Sequence, residues 1–179
     1  MTQQTKPEKT RVRIEIRGRI ADRATFDAIC AAGDADLGAS KGEFARIILE
    51  AIKDGRSPVI TGGCVDGKPL RLASVAMEAG IPLVVIVGYE KGKSQGHIYC
   101  VNQRNGIMPS LPMGESGPMV PQELIQKMYK ANPIHGLAEM CRALRQYDAD
   151  SYPELTMPRA LQVQLMPEEK IGIFAGFRR

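Results

Sequence analysis

Between Arg11 and Ile20 apolar and polar residues alternate. Val12, Ile14, Ile16 and Ile20 fall on one side, and Arg11, Arg13, Glu15, Arg17 and Arg19 on the other. A period of two predicts a half-buried strand with an arginine-rich outer face. The rhythm then lengthens. Residues 22–32 predict a short helix and residues 33–38 a loop. Ser40-Lys41-Gly42-Glu43 fits a capping box. Behind it Phe44, Ile47, Ile48, Ala51 and Ile52 form one helical stripe, which Gly55 ends.

The most patterned stretch is Ser57–Gly88. Pro58-Val59-Ile60 predicts a strand, Gly62-Gly63 a turn, and Pro69 the first position of a helix whose Leu72, Val75, Ala76 and Ala79 face a core. Gly80 closes that helix, and residues 81–87 are an unbroken apolar strand. Strand, crossover helix and strand predict parallel pairing with a right-handed crossover. Further on the pattern predicts a basic loop at 89–96, a strand at 97–103, a loop at Gly106–Pro121, helices at 121–131 and 134–147, and tail strands at 161–166 and 171–175. The reading is a flexible tail (1–10), an α/β domain (11–148, its helical part 121–148) and a C-terminal extension with short strands (149–179).

Hydrophobic residues make up 44% of the chain, enough for a core, and the formal net charge is +4. That balance admits nucleic-acid or nucleotide partners without requiring them. Cys30, Cys64, Cys100 and Cys141 are far apart, form no C-x-x-C pair, and have only His97 and His135 for company. Neither a structural zinc nor a disulfide framework is expected. The first residues carry no apolar signal segment, and residues 81–87 are too short to span a bilayer, so a cytoplasmic protein is expected.

Chemistry concentrates at the turn after the 58–60 strand. Gly62 and Gly63 can bring backbone N–H groups to an anion, and Lys68 and Arg71 supply a point charge and a fork for phosphate. The bland alternative is an ordinary turn with two solvated cations. Cys64 is either an activated thiol near a helix start or a small packing residue. No P-loop is present, because Pro69 follows Lys68 where Ser or Thr is needed. Asp66, Glu90 and His97 are the candidate catalytic groups by proximity, with no pair that marks a metal site. Arg11, Arg13, Arg17 and Arg19 form a candidate nucleic-acid face, spaced about 6.6–6.8 Å apart, unless they are the solvated charges of an edge strand. The Met- and Pro-rich stretch Gly106–Pro121 is a candidate protein-contact loop. Aromatic content is 5% with no tryptophan, so nucleic-acid binding would be mainly electrostatic.

Gly62-Gly63, Arg71, the helix of residues 72–79, Gly80 and Ile81-Pro82-Leu83-Val84-Val85 follow the order of a strand, a G-x-x-R phosphate motif, an alanine-rich helix, a glycine and a strand opened by Ile-Pro. In this the chain resembles the ParB/sulfiredoxin-like superfamily, whose sulfiredoxin branch also places Gly-Gly-Cys at that turn, here Gly62-Gly63-Cys64. The resemblance implies an α/β mixed sheet with a parallel strand–helix–strand core and phosphate binding at Gly62, Gly63, Cys64, Lys68 and Arg71. It also implies ATP with Mg²⁺ and an ATPase or DNase activity, as in plasmid fertility-inhibition proteins of this fold that block conjugative DNA transfer. The rival expectations are a non-catalytic inhibitor of a transfer or secretion component and a DNA-binding accessory protein.

Overall fold

The computed structural model describes residues 9–88, 96–114, 117–133 and 135–166. The alternating segment forms β1 (Lys9–Ile16), which pairs antiparallel with β2 (Val59–Val65) on one side and β3 (Leu83–Val87) on the other. β3 in turn pairs antiparallel with β4 (Gly96–Asn102), β4 with β5 (Gly106–Ile107) and β6 (Leu111–Gly114), and β6 with β7 (Gly117–Pro118). The strand order is β2-β1-β3-β4-β6-β7, with β5 beside β4.

The architecture is mixed α/β, but the expected parallel pairing does not form. β2 and β3 run the same way because both oppose β1, yet β1 lies between them. The connecting helix α3 (Leu70–Glu78) therefore steps over two strand spacings, about 9.6 Å. Periodicity reveals that a strand–helix–strand unit exists, not whether another strand enters the gap. It follows that β1 is interior, not the edge strand its outer charges suggest.

Two apolar layers flank the sheet. On one face Val12, Ile14, Ile16, Ile60, Leu83, Val85 and Val101 form a core with α1 (Arg23–Leu37), α2 (Glu43–Lys53), α3 and α6 (Arg159–Leu165). On the other, Val84, Ile98, Cys100 and Leu111 pack with Tyr147 and the half-buried Leu144, the latter from α5 (Gly136–Arg145). That second layer stops short of β1 and β2, where Arg11, Arg13, Val59, Thr61 and Val65 are exposed.

Three local expectations change. The first helix does not stop at residue 32; it runs to Leu37 and ends at Gly38, which is left-handed (φ 62°). Gly33 sits inside it because the ring of Phe44 from α2 occupies the space a Cβ would take. The stretch 106–121 is not a loop throughout: β5, β6 and β7 lie in it, and β6 uses the far side of β4, setting Leu111 opposite Ile98. Residues 161–166 are not a strand. α6 forms instead, following Pro158 and burying Leu161; a five-residue L-x-V-x-L run fits either period. The predicted strand at 171–175 lies outside the described residues. The strand expected at 97–103 appears as β4, and the helix pair as α4 (Gln122–Ala131) and α5.

Candidate phosphate and nucleic-acid surfaces

Gly62 and Gly63 are not a turn. They lie within β2, opposite Val12 and Arg11 of β1. Their small size serves packing: a Cβ on Gly62 would press the Leu37 side chain at 3.2 Å, and one on Gly63 the stem of Lys9 at 3.3 Å. Cys64 is 2% exposed, and burial, then the charge of Asp36, pushes its thiol up from the ordinary value. It is a core residue with its thiol protonated, not an activated nucleophile.

The real turn is Asp66-Gly67, with Asp66 at φ 52°. Three N–H groups at and after it are used within the chain. Gly67 donates to the Cys64 carbonyl (3.3 Å), Lys68 to Val65 (3.1 Å), and Leu70 to Lys68 (2.9 Å). At the start of α3 the N–H of Leu72 donates to Asp36 Oδ2 at 2.9 Å. The helix end that could favour a phosphate is already held by a carboxylate of the same chain. Lys68 and Arg71 are exposed there, and neither side chain has a hydrogen-bonding or ion-pair partner among the described residues.

Asp34 does the same for α2. Its Oδ2 accepts from Gly42 N–H (2.7 Å) and its Oδ1 from Phe44 N–H (2.9 Å). Residues two apart on a helix lie about 200° apart around its axis, so Asp34 and Asp36, at the end of α1, reach opposite neighbours. The capping box is only half formed. Glu43 accepts from Ser40 N–H at 3.3 Å, but Gly42, without a side-chain cap, precedes the helix. The D-x-D spacing at the end of a helix was the available sign of these caps.

The four arginines separate. Arg17 is buried, 6% exposed, and leaves the proposed face. Its guanidinium holds Glu15 (Nη2–Oε1 2.5 Å), Asp150 (2.8 Å) and Glu154 (2.9 Å). Glu154 also accepts from the Ser57 hydroxyl, which in turn accepts from Leu155 N–H (3.0 Å). This network staples the segment at 149–156 to the end of β1, aided by main-chain bonds between Gly18 and Pro153 and between Ile20 and Thr156. Arg19 lies past the strand, beyond Gly18 (φ 94°), in a bridge with Thr156. Arg11 and Arg13 remain on the bare face of β1, Arg11 opposite Gly63, and Arg13 between Thr61 of β2 and Ile86 of β3. The turn carrying Lys68 leaves the sheet at the same end as Arg11, since Lys9 opposes Val65, but it folds onto the opposite face, where Tyr99 Oη donates to the Gly67 carbonyl (3.3 Å) and α3 joins the core.

Of the three catalytic candidates, two lie within the described residues. Asp66 is exposed in its turn; His97 is exposed on β4, opposite Val87 and Pro112; Glu90 lies outside the described residues. No hydrogen bond joins Asp66 to His97. Among the described residues no three His, Cys, Asp or Glu side chains are grouped to hold a metal ion. At this turn the N–H groups of Gly67, Lys68, Leu70 and Leu72 are engaged within the chain, and the Asp36 carboxylate stands at the helix end where a phosphate would bind. A groove of about 710 Å³ between α2 and α6 is lined by Leu49, Ile52, Val163 and Met166 together with Arg46, Lys53 and Arg159. Among the described residues no helix is long and apolar enough to cross a membrane. The chain matches no protein-family profile, no curated protein and no solved structure.

Proposed function

We propose that the chain binds the phosphate backbone of nucleic acid on the exposed face of β1 and β2, with Arg11 and Arg13 as the principal contacts. One observation carries this reading. The two arginines are exposed on an interior strand, where protection of a sheet edge does not explain them. Their neighbour Thr61 is small and uncharged, leaving room for a backbone to approach beside Arg13. The formal charge of +4 supports the same partner, and the scarcity of aromatics points to electrostatic contact with little sequence preference.

The role is binding, of the DNA-binding accessory kind, rather than turnover of ATP or DNA. The backbone cradle that a nucleotide would use is occupied from within. The test is fluorescence anisotropy with a labelled duplex over a series of salt concentrations. Wild type should lose affinity as salt rises, with a slope of about −0.9 per phosphate contact. Arg11→Gln/Arg13→Gln should flatten that slope by roughly two contacts. Wild-type affinity and slope in the double variant would remove Arg11 and Arg13 from the site.

A further inference from the structure

Among the described residues, the α4–α5 hairpin meets the rest of the fold through the half-buried Leu144 and leaves most of its surface exposed. No residue of α4 is buried, and in α5 only Gly136 is. The two helices meet at that glycine, where a Cβ would stand 2.6 Å from the Met128 carbonyl oxygen. Asn132 shapes the connection, accepting from His135 N–H through its side chain (3.0 Å) and from Gly136 N–H through its carbonyl (2.7 Å). Beyond this contact large apolar side chains face outward. Leu124 is 41% exposed, Ile125 36%, Tyr129 56% and Leu137 49%. Ten-residue helices are marginal alone and depend on packing an apolar face.

We infer that a second copy of this chain covers the hairpin, the two hairpins packing about a two-fold axis into an antiparallel four-helix bundle. Two observations select a second copy. The first is area. A standard interface buries about 800 Å² per partner, roughly 65% of it apolar in homodimers, or about 500 Å². Those four side chains present on the order of 350 Å² per copy, much of that requirement. The second is charge. Each helix is acidic in its first turn, at Glu123 and Glu139, and basic in its last, at Lys130 and at Arg142 and Arg145. A two-fold that sets each helix antiparallel to its own copy brings Glu123 to Lys130 of the second copy and Glu139 to its Arg142, and each pair recurs by symmetry. This surface is separate from the β1 face and does not depend on what binds there.

Sedimentation velocity on the full chain, from low to high micromolar, tests the inference. Wild type should be a dimer whose dissociation constant rises at least about tenfold in Tyr129→Glu/Leu137→Glu. Both positions are exposed in the single chain, so its far-UV circular dichroism should keep the strand signal. Glu123→Lys and Lys130→Glu should each weaken the dimer, and the double reversal should restore it. A wild type that stays monomeric overturns the proposal. So does a dimer unmoved by Tyr129→Glu/Leu137→Glu, or a double reversal no tighter than its single parents.

Discussion

Single residues here change meaning with their surroundings, not their type. Arg13 and Arg17 sit on the same side of one alternating strand by sequence, yet Arg13 is exposed and Arg17 is enclosed by three carboxylates. Removing Arg17 would leave the shielded Glu15 without its partner, while Asp150 and Glu154 stand in solvent; Arg13 should be replaceable at little cost. Three of the four cysteines, Cys30, Cys64 and Cys100, are buried, and Cys141 is exposed. Burial, then the charges of Asp34 and Asp27, lifts the Cys30 thiol to about 12, and burial alone lifts Cys100 to about 12, from 9.0. Burial moves Tyr99 upward as well, followed by the charges of Cys64 and Asp36. For an acid whose folded value lies above its unfolded one, the stability is fully present below the unfolded value and is lost as pH rises through the folded one. Melting temperature should therefore fall between pH 9 and about 12, and Cys30→Ala/Cys100→Ala should fall less steeply over that window. Equal slopes for both proteins would show that these thiols do not control the alkaline limit.

At the scale of elements, α1 organises its neighbours. Gly33 admits the Phe44 ring, Asp34 caps α2, and Asp36 caps α3. A helix start deprived of such a cap typically loses about 1 kcal/mol. Asp36→Ala should lower stability by that amount in urea unfolding without changing the slope of the transition; a midpoint equal to wild type would contradict the capping role. The start of α3 has the features of a phosphate site, a turn, cations and a helix end, but its donors are already used. A pattern in one segment cannot show that a carboxylate thirty-six residues earlier, Asp36 for Leu72, fills the place a ligand would take.

Across the whole molecule, the legible part of the sequence was whatever a local period could express. The alternation at 11–16, the stripe from Phe44 to Ile52 and the apolar run at 83–87 all became the expected elements, and with them the mixed α/β class. The neighbour relations were not legible. β1 enters between β2 and β3 from far away in the chain, and this single insertion replaces parallel pairing by antiparallel ladders, turns a presumed edge strand into an interior one, and places the glycine pair inside a strand. The same long-range packing buries Arg17 against residues 150 and 154 and leaves Arg11 and Arg13 where the second apolar layer ends. The α4–α5 hairpin, stable only when its outer face is covered, completes the account of a sheet with one closed face and one half-open face. The central claim is that the open half binds phosphate. Titration of the ¹⁵N-labelled chain with a short DNA duplex, followed by amide chemical shifts, tests it residue by residue. Shifts should centre on Arg11, Arg13, Thr61 and Gly63 and weaken with added salt. Shifts confined to residues 66–72, or none at all at low salt, would contradict it.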